Sequence, residues 1–334
     1  MLVDPAEFRI ARHPFQNFRF YCAAAVILAG SASPVAGAAG QSYPERPVRI
    51  FVGLAAGGGT DSVARIMAQK LSDVFGQSFV VDNRPGAGGN VAGELTARAA
   101  PDGYTLIAVT PTHIINPSIY RDVRYDAIKD FAPIGLIAYA QYYLSAANAV
   151  PAATLKDLIA LAKTQRLMYG SPGIGGTNHL AGELFKSMAG IEMVHVPYKG
   201  GAPTLNALIS GEVHVSFTSG VVLPHAKAGR LKTLAVTGGK RTPLAPDIPT
   251  VAEAGLPGYE VTGWYGLAAP ARTPKAILEH LNVTMNRVLP ELQDRYASLA
   301  MDLAGGTASQ FGSLLTSERE KWARVVRLSG VKPE

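Results

Sequence analysis

Two stretches of the chain share one chemistry. Gly58-Gly59-Thr60-Asp61-Ser62-Val63-Ala64 returns as Gly175-Gly176-Thr177-Asn178-His179-Leu180-Ala181. Each follows a short strand-like run and precedes residues at helical apolar spacing, so each reads as strand, glycine turn, helix start. The first turn of a helix carries backbone N–H groups without intrahelical acceptors and a partial positive charge, which together favour an anion. Glycine lets such an anion come close to the backbone. The hydroxyls of Thr60 and Thr177 are further donors, while Thr60, Asp61, Thr177 and Asn178 are also suited to capping their own helices. Asp61 has a second reading, as the partner of an ammonium group. Two such helix ends, one in each half of the chain, suggest two lobes gripping one small anion.

Competing chemistries fit less well. A phosphate loop needs lysine after its last glycine, and Gly57-Gly58-Gly59-Thr60-Asp61 has none; the dinucleotide spacing meets Val91 after Gly86 and Gly88, and Asn178 after Gly173 and Gly175, where it needs glycine. Gly170-Ser171-Pro172-Gly173 lacks the spacing of a nucleophile elbow, and proline removes an N–H from any oxyanion hole at Ser171. His113, His179, His195, His214 and His225 are scattered, and His179 with Glu183 is too few groups for a metal site. Arg84 and Lys199 occupy corresponding turns of the two halves, each either a cleft cation or a surface charge. The chain reads as a binder without cofactor or metal rather than a catalyst.

The elements that hold these turns follow in the same order twice. Val48-Arg49-Ile50-Phe51-Val52, Phe79-Val80-Val81 and Tyr104 to Val109 read as strands, with helices after the first glycine turn and from Val91 to Ala99. Leu167-Met168-Tyr169, Met193-Val194-His195-Val196 and Val213 to Phe217 repeat the pattern, with helices from the second turn and from Pro203. Strand, helix, strand, helix, strand implies a parallel sheet with helices on its faces, once per half. Residues 134–138 and 142–145 form strands crossing from one lobe to the other, and residues 261–267 return. Thr273 is placed to cap a helix begun by Pro274, and a last helix covers about Ser309 to Leu328. These C-terminal helices are expected to pack on the first lobe. The fold class is α/β, two lobes each with a central sheet flanked by helices, joined by a hinge of two crossover strands that permits closure. The boundaries are residues 43–140 with 266–334 for the first lobe and 141–265 for the second.

Bulk properties agree. Arg9, Arg12 and Arg19, an apolar run over residues 20–30 and the small residues Ala36-Gly37-Ala38 compose a signal peptide, residues 1–38, cleaved near Ala38. Serine at Ser31 replaces the cysteine of a lipoprotein box. The single cysteine, Cys22, lies in that segment, so the mature chain has no disulfide, thiolate ligand or cysteine nucleophile. A net charge of +6 and a pI near 9.3 come from basic residues spread along the chain, without the stripe a nucleic-acid protein shows.

Taken together, these motifs resemble the extracytoplasmic solute receptors of the tripartite tricarboxylate transporter type, the Bug family. The resemblance rests on Gly57-Gly58-Gly59-Thr60-Asp61, Asn83-Arg84-Pro85-Gly86-Ala87-Gly88-Gly89, Pro101-Asp102-Gly103-Tyr104-Thr105-Leu106 and Asn116-Pro117-Ser118-Ile119-Tyr120. In the second half it rests on Tyr169-Gly170-Ser171-Pro172-Gly173, Thr177-Asn178-His179-Leu180-Ala181-Gly182-Glu183, Val196-Pro197-Tyr198-Lys199-Gly200 and Trp264-Tyr265-Gly266. It implies a periplasmic receptor that holds a ligand carboxylate between the two glycine loops and delivers it to a two-component membrane permease driven by an ion gradient. A monomer is expected, without nucleic acid. The same cleft would also serve a receptor that feeds a membrane sensor kinase, or an exported enzyme. The candidate ligand-binding residues are Gly58, Gly59, Thr60, Asp61, Thr110, Ser171, Gly175, Gly176, Thr177, Asn178, Tyr198 and Ser219. The chain departs from the family in having Gly53-Leu54 where Pro-Phe is common, His214 where aspartate is common, and no aspartate or asparagine within Thr218-Ser219-Gly220. Tyr139, Tyr142, Tyr143, Tyr198, Trp264 and Tyr265 cluster near the hinge, and an aromatic acid becomes plausible if several line the cleft.

Overall fold

The structure, a computed structural model, describes residues 43–329; the signal segment expected over residues 1–38 lies outside the described residues. The chain enters β1 (Val48–Val52), turns through glycines into α1 (Gly59–Phe75), and returns by β2 (Phe79–Asn83), α2 (Asn90–Ala97) and β3 (Thr105–Val109). The apolar stripe of α1 (Val63, Ile66, Met67, Leu71) is buried on the sheet. The helix stops where Gly76 takes the left-handed conformation at φ 67° and its N–H donates to Ser72 O. A short α3 (Pro111–Ile115) follows β3, then β4 (Phe131–Gln141) runs out of the first sheet and continues past Tyr142 as β5 (Tyr143–Ala147) of the second.

The second half repeats the pattern after α4 (Leu155–Thr164), a helix the sequence reading passed over although it begins with a full capping box between Thr154 and Asp157. There follow β6 (Leu167–Ser171), α5 (Thr177–Ala189), β7 (Met193–Pro197), α6 (Gly201–Ser210), β8 (Val215–Thr218), α7 (Leu223–Lys227) and β9 (Leu231–Val236). The chain returns by β10 (Thr262–Pro270) and ends with α8 (Lys275–Val288), α9 (Gln293–Ala297), β11 (Met301–Leu303) and α10 (Ala308–Ser329).

The two sheets have one plan. The first is ordered β11-β4-β10-β3-β1-β2 and the second β7-β6-β8-β5-β9. In each, two parallel neighbours flank the strand before the glycine turn: β2 and β3 beside β1, β7 and β8 beside β6. In each, the strand arriving from the other lobe lies antiparallel beside the third of these, β10 on β3 and β5 on β8. The strands of a parallel unit end on the same side, so both glycine turns face the gap between the lobes.

Three apolar cores fill the layers. Two lie on the faces of the first sheet, around Ile50 and Met67 and around Phe51 and Phe131; the third belongs to the second sheet, around Phe185 and Phe217. Here α10 departs from expectation. Its Phe311 and Leu315 pack in a first-lobe core, but Trp322, Val325 and Val326 lie in the core of the second sheet. The helix spans both lobes because its apolar stripe is long enough to reach past the hinge. Thr273 also departs: Pro274 is itself the N-cap of α8, and the Thr273 hydroxyl donates to Pro270 O at 2.8 Å.

Candidate functional site

Between the lobes lies a cavity of about 460 Å³. The first lobe lines it with Leu54, Gly59, Thr60, Gly88, Thr110, Pro111, Thr112, Asn116 and Tyr120. The second contributes Pro172 through Asn178, with Gly200 and Gly201, and the crossing strands add Tyr142, Trp264 and Tyr265. The first turns of α1, α5 and α6 all open into it, through Gly59 and Thr60, Thr177 and Asn178, and Gly201. Among the described residues, no Lys, Arg, Asp or Glu lines the cavity. The positive end of the site is therefore made of peptide dipoles and unpaired N–H groups rather than side-chain cations.

The two glycine loops have the same backbone, one residue out of step with their sequence likeness. Gly57 (φ 82°) and Gly175 (φ 73°) both take the left-handed conformation that glycine alone adopts freely. The next residues, Gly58 (φ −79°, ψ 171°) and Gly176 (φ −71°, ψ 161°), are the N-caps of α1 and α5. Ser62 N–H donates to Gly58 O at 2.9 Å, and Leu180 N–H donates to Gly176 O at 3.0 Å. The structural equivalents are thus Gly59 with Thr177, Thr60 with Asn178, and Asp61 with His179, rather than threonine with threonine. Neither N-cap glycine receives a side-chain capping bond, so the expected capping by Thr60, Thr177 and Asn178 does not occur. Instead the third helical residue reaches back to the left-handed glycine. Gly57 N–H donates to Asp61 Oδ2 at 2.9 Å, and Gly175 N–H donates to His179 Nδ1 at 3.0 Å.

Seven of the twelve expected residues line the cavity: Gly59, Thr60, Thr110, Gly175, Gly176, Thr177 and Asn178. Gly58 shapes the turn beneath them. Asp61 does not line the cavity and is no ammonium partner: it is 3% exposed and bound by Gly57, Arg65 and Asn83. Burial pushes its carboxyl up, but the hydrogen bonds from Arg65, Gly57 and Asn83 together hold it below the usual range. Ser171 is sealed off at 0% exposure, donating to Gly173 O at 2.8 Å with His195 Nε2 at 2.6 Å. Tyr198 donates instead to Glu212 at 2.7 Å. Ser219 lines an adjoining cavity of about 600 Å³, with Thr218, Gly220 and residues 298–301. Of the two candidate cations, Arg84 donates to Asp82 at 2.9 Å and stands over Phe51, and Lys199 is not among the lining residues. His214 Nδ1 accepts Met168 N–H at 2.9 Å and so is already occupied.

Three aromatic residues of the hinge cluster, Tyr142, Trp264 and Tyr265, form a wall of the cavity; Tyr139, Tyr143 and Tyr198 do not. Burial pushes the Tyr142 phenol up to about 12, with a hydrogen bond from Thr177 acting the other way, so it stays neutral beside the second loop. The Tyr265 hydroxyl lies close to Gly59: a Cβ there would sit 3.0 Å from it, a tight contact that glycine avoids. The reading from sequence missed Gly88, Asn116 and Tyr120. Asn116 Nδ2 donates to Gly88 O at 3.0 Å and to Asn90 Oδ1 at 2.8 Å, and so fixes the left-handed corner at Gly88. Their signal was the polar and aromatic residues of the Asn116–Tyr120 stretch.

Comparison with known proteins places this geometry among receptors. The profile of the tripartite tricarboxylate transporter family receptor matches residues 63–331. A UPF0065 protein from the tcbD-tcbE intergenic region of Pseudomonas sp. (strain P51) is 35% identical over 296 residues, covering 86% of this chain and 87% of the relative. Among solved structures, R. palustris Rpa4515 with adipate has a TM-score of 0.79 at 38% identity, covering 87% of this chain and 100% of that one. The periplasmic binding protein BugD has a TM-score of 0.75 at 32% identity, with 87% and 100% covered.

Proposed function

Because the chain belongs to the tripartite tricarboxylate transporter receptor family, we propose that it captures a small carboxylate between its lobes and hands it to a two-component permease of that transporter type. Members of the family are periplasmic substrate-binding receptors rather than enzymes. Export through the signal segment at residues 1–38 would deliver this chain to the same compartment, as a monomer that needs no cofactor. The observation that carries the reading is a cavity between the lobes onto which three helix first turns open, with no charged side chain among its described lining residues. Such a site favours a carboxylate because N–H groups and aligned dipoles stabilise negative charge with no counter-ion to displace. The adipate of Rpa4515 is a ligand of this class.

Calorimetric titration with adipate, malate, benzoate and the uncharged diamide of adipate tests the reading. At least one acid is expected to bind one-to-one and the diamide not at all. A diamide that binds as tightly as its acid, or silence from every acid, overturns it.

A further inference from the structure

We infer that Asp61 and His179 are paired positioning residues of this site, each fixing one glycine loop in its ligand-facing shape through a single backbone N–H. The inference rests on the carboxylate reading above and concerns how that site is held.

Both side chains occupy the third position of their helix, and both accept from the left-handed glycine two residues before the helix begins. Neither lines the cavity. By turning the N–H of Gly57 or Gly175 back toward the helix, each bond closes the corner that leaves the following N–H groups pointing outward. The shared glycine φ values and the shared N-cap bonds show one backbone solution reached with two side-chain chemistries.

The surroundings explain the difference. In the first lobe the charge of Asp61 is met by Arg65 at 2.9 Å and by Asn83 at 3.0 Å. In the second, the equivalent place already holds a carboxylate one turn on. Glu183 is 8% exposed, takes the Tyr169 hydroxyl and pairs with Lys186 at 2.9 Å. A second carboxylate at position 179 would face it at helical spacing, which is repulsive. A neutral imidazole meets the need. Its Nδ1 accepts from Gly175, so the ring proton sits on Nε2, 3.9 Å from Glu183 Oε1, and the ring stacks on His195 at 3.9 Å.

The first lobe also supplies the control, since Asp61 shows that a short side chain with one oxygen acceptor spans the distance. The experiment uses the intact protein, the same acids as probes, and amide hydrogen exchange at Gly175. His179→Leu is expected to weaken binding by roughly tenfold, the equivalent of one hydrogen bond, and to speed exchange at Gly175. His179→Asn is expected to restore both to within about twofold, since its oxygen can accept the Gly175 N–H. His179→Asp should do worse than His179→Asn because of Glu183. Should His179→Leu fail to fold, Asp61→Ala against Asp61→Asn runs the same comparison in the first lobe. Wild-type binding that His179→Leu leaves unchanged removes this inference alone. So does a His179→Asn protein that binds as poorly as His179→Leu, because packing of the ring would then be its whole role. Failure of the wild type to take up any acid sinks the carboxylate reading and this inference with it.

Discussion

In the first lobe the glycine loop is braced near the surface by charge. Arg65, whose side chain is 52% exposed, forks onto Asp61 and also reaches Asn83 at 2.9 Å. In the second lobe the same loop is braced from inside, by a stack of Tyr169, His195 and His179 over a carboxylate that Lys186 neutralises. The backbone is shared and the support is not. The difference teaches that a left-handed glycine followed by an extended N-cap is what the two loops share, with two different acceptors at the third helical position. It also assigns unequal costs to damage: exposed charges contribute little to stability, while buried polar groups are costly to leave without partners.

The largest expected effect therefore lies in the second lobe. Glu183→Ala leaves the Tyr169 hydroxyl and the Lys186 ammonium without their shared acceptor. Losing the acceptor of a buried hydroxyl and of a part-buried ammonium costs about 1–3 kcal/mol. Urea denaturation of wild type and variant measures it. A loss within about 0.5 kcal/mol, the range of ordinary surface substitutions, would show that the inner bracing is no stronger than the outer.

Acidification separates the loops next. The folded state holds His179 below 6.5 and His195 down at about 3, burial being the leading cause for both. Between 6.5 and about 3 the unfolded chain therefore binds protons that the folded chain refuses, so stability falls as pH is lowered through that window. Buried His113, held at about 4 in the first lobe, adds to the same decline. Asp61 acts with the same sign but lower on the pH scale. Its folded pKa lies below 3.8, so its contribution is present above 3.8 and is lost only on further acidification. Following Gly57 and Gly175 amide protection against pH should show the second loop loosening first. Simultaneous loss would merge the two supports into one.

Much of this arrangement was legible in the residues, and the limits are instructive. The glycine turns, the parallel strands and the crossing strands are local events, written in apolar period and turn chemistry. The pairing of Thr60 with Thr177 misled because likeness of side chains was read as likeness of position. The backbone instead aligns Asp61 with His179, residues that look unrelated and do one job. Ser171 and Tyr198 sit near the loops in sequence, yet Ser171 is buried toward His195 and Tyr198 is turned to Glu212. That choice depends on strand pleat and turn length, which a candidate list does not contain. The periodicity of α10 names its buried residues but not which core receives them, and so its reach onto the second lobe appeared only in the fold.

Glycine replacements probe the corners themselves. Gly57→Ala and Gly175→Ala both force an L-residue into the left-handed region, at a cost of about 1–2 kcal/mol each. A methyl at Gly57 meets nothing within 4 Å, whereas one at Gly175 would lie 2.8 Å from Ile119 Cδ1 of the first lobe. Gly175→Ala should thus destabilise more and also weaken acid binding more, since it props the lobes apart at Ile119. Equal effects on thermal unfolding and on calorimetric affinity would mean that Ile119 yields freely.

The smallest effect is expected from Arg65→Ala, and it tests the outer brace most directly. Arg65 contributes its hydrogen bonds and charge to the buried Asp61 carboxylate from an exposed guanidinium, where solvent screens its charge. Asp61 keeps two other donors, Gly57 N–H and Asn83 Nδ2, when Arg65 is gone. The loop should hold its shape, and acid binding at neutral pH should change by less than about threefold. What should change is the salt response. Without the guanidinium, the carboxylate of Asp61 lies behind the first turn of α1 with less compensation, and its field opposes the incoming acid. Raising ionic strength screens that field, so the variant should regain affinity with added salt where the wild type does not. A variant that loses binding outright would mean that charge, not the Gly57 hydrogen bond, sets the first loop, and the likeness between the two braces would end there.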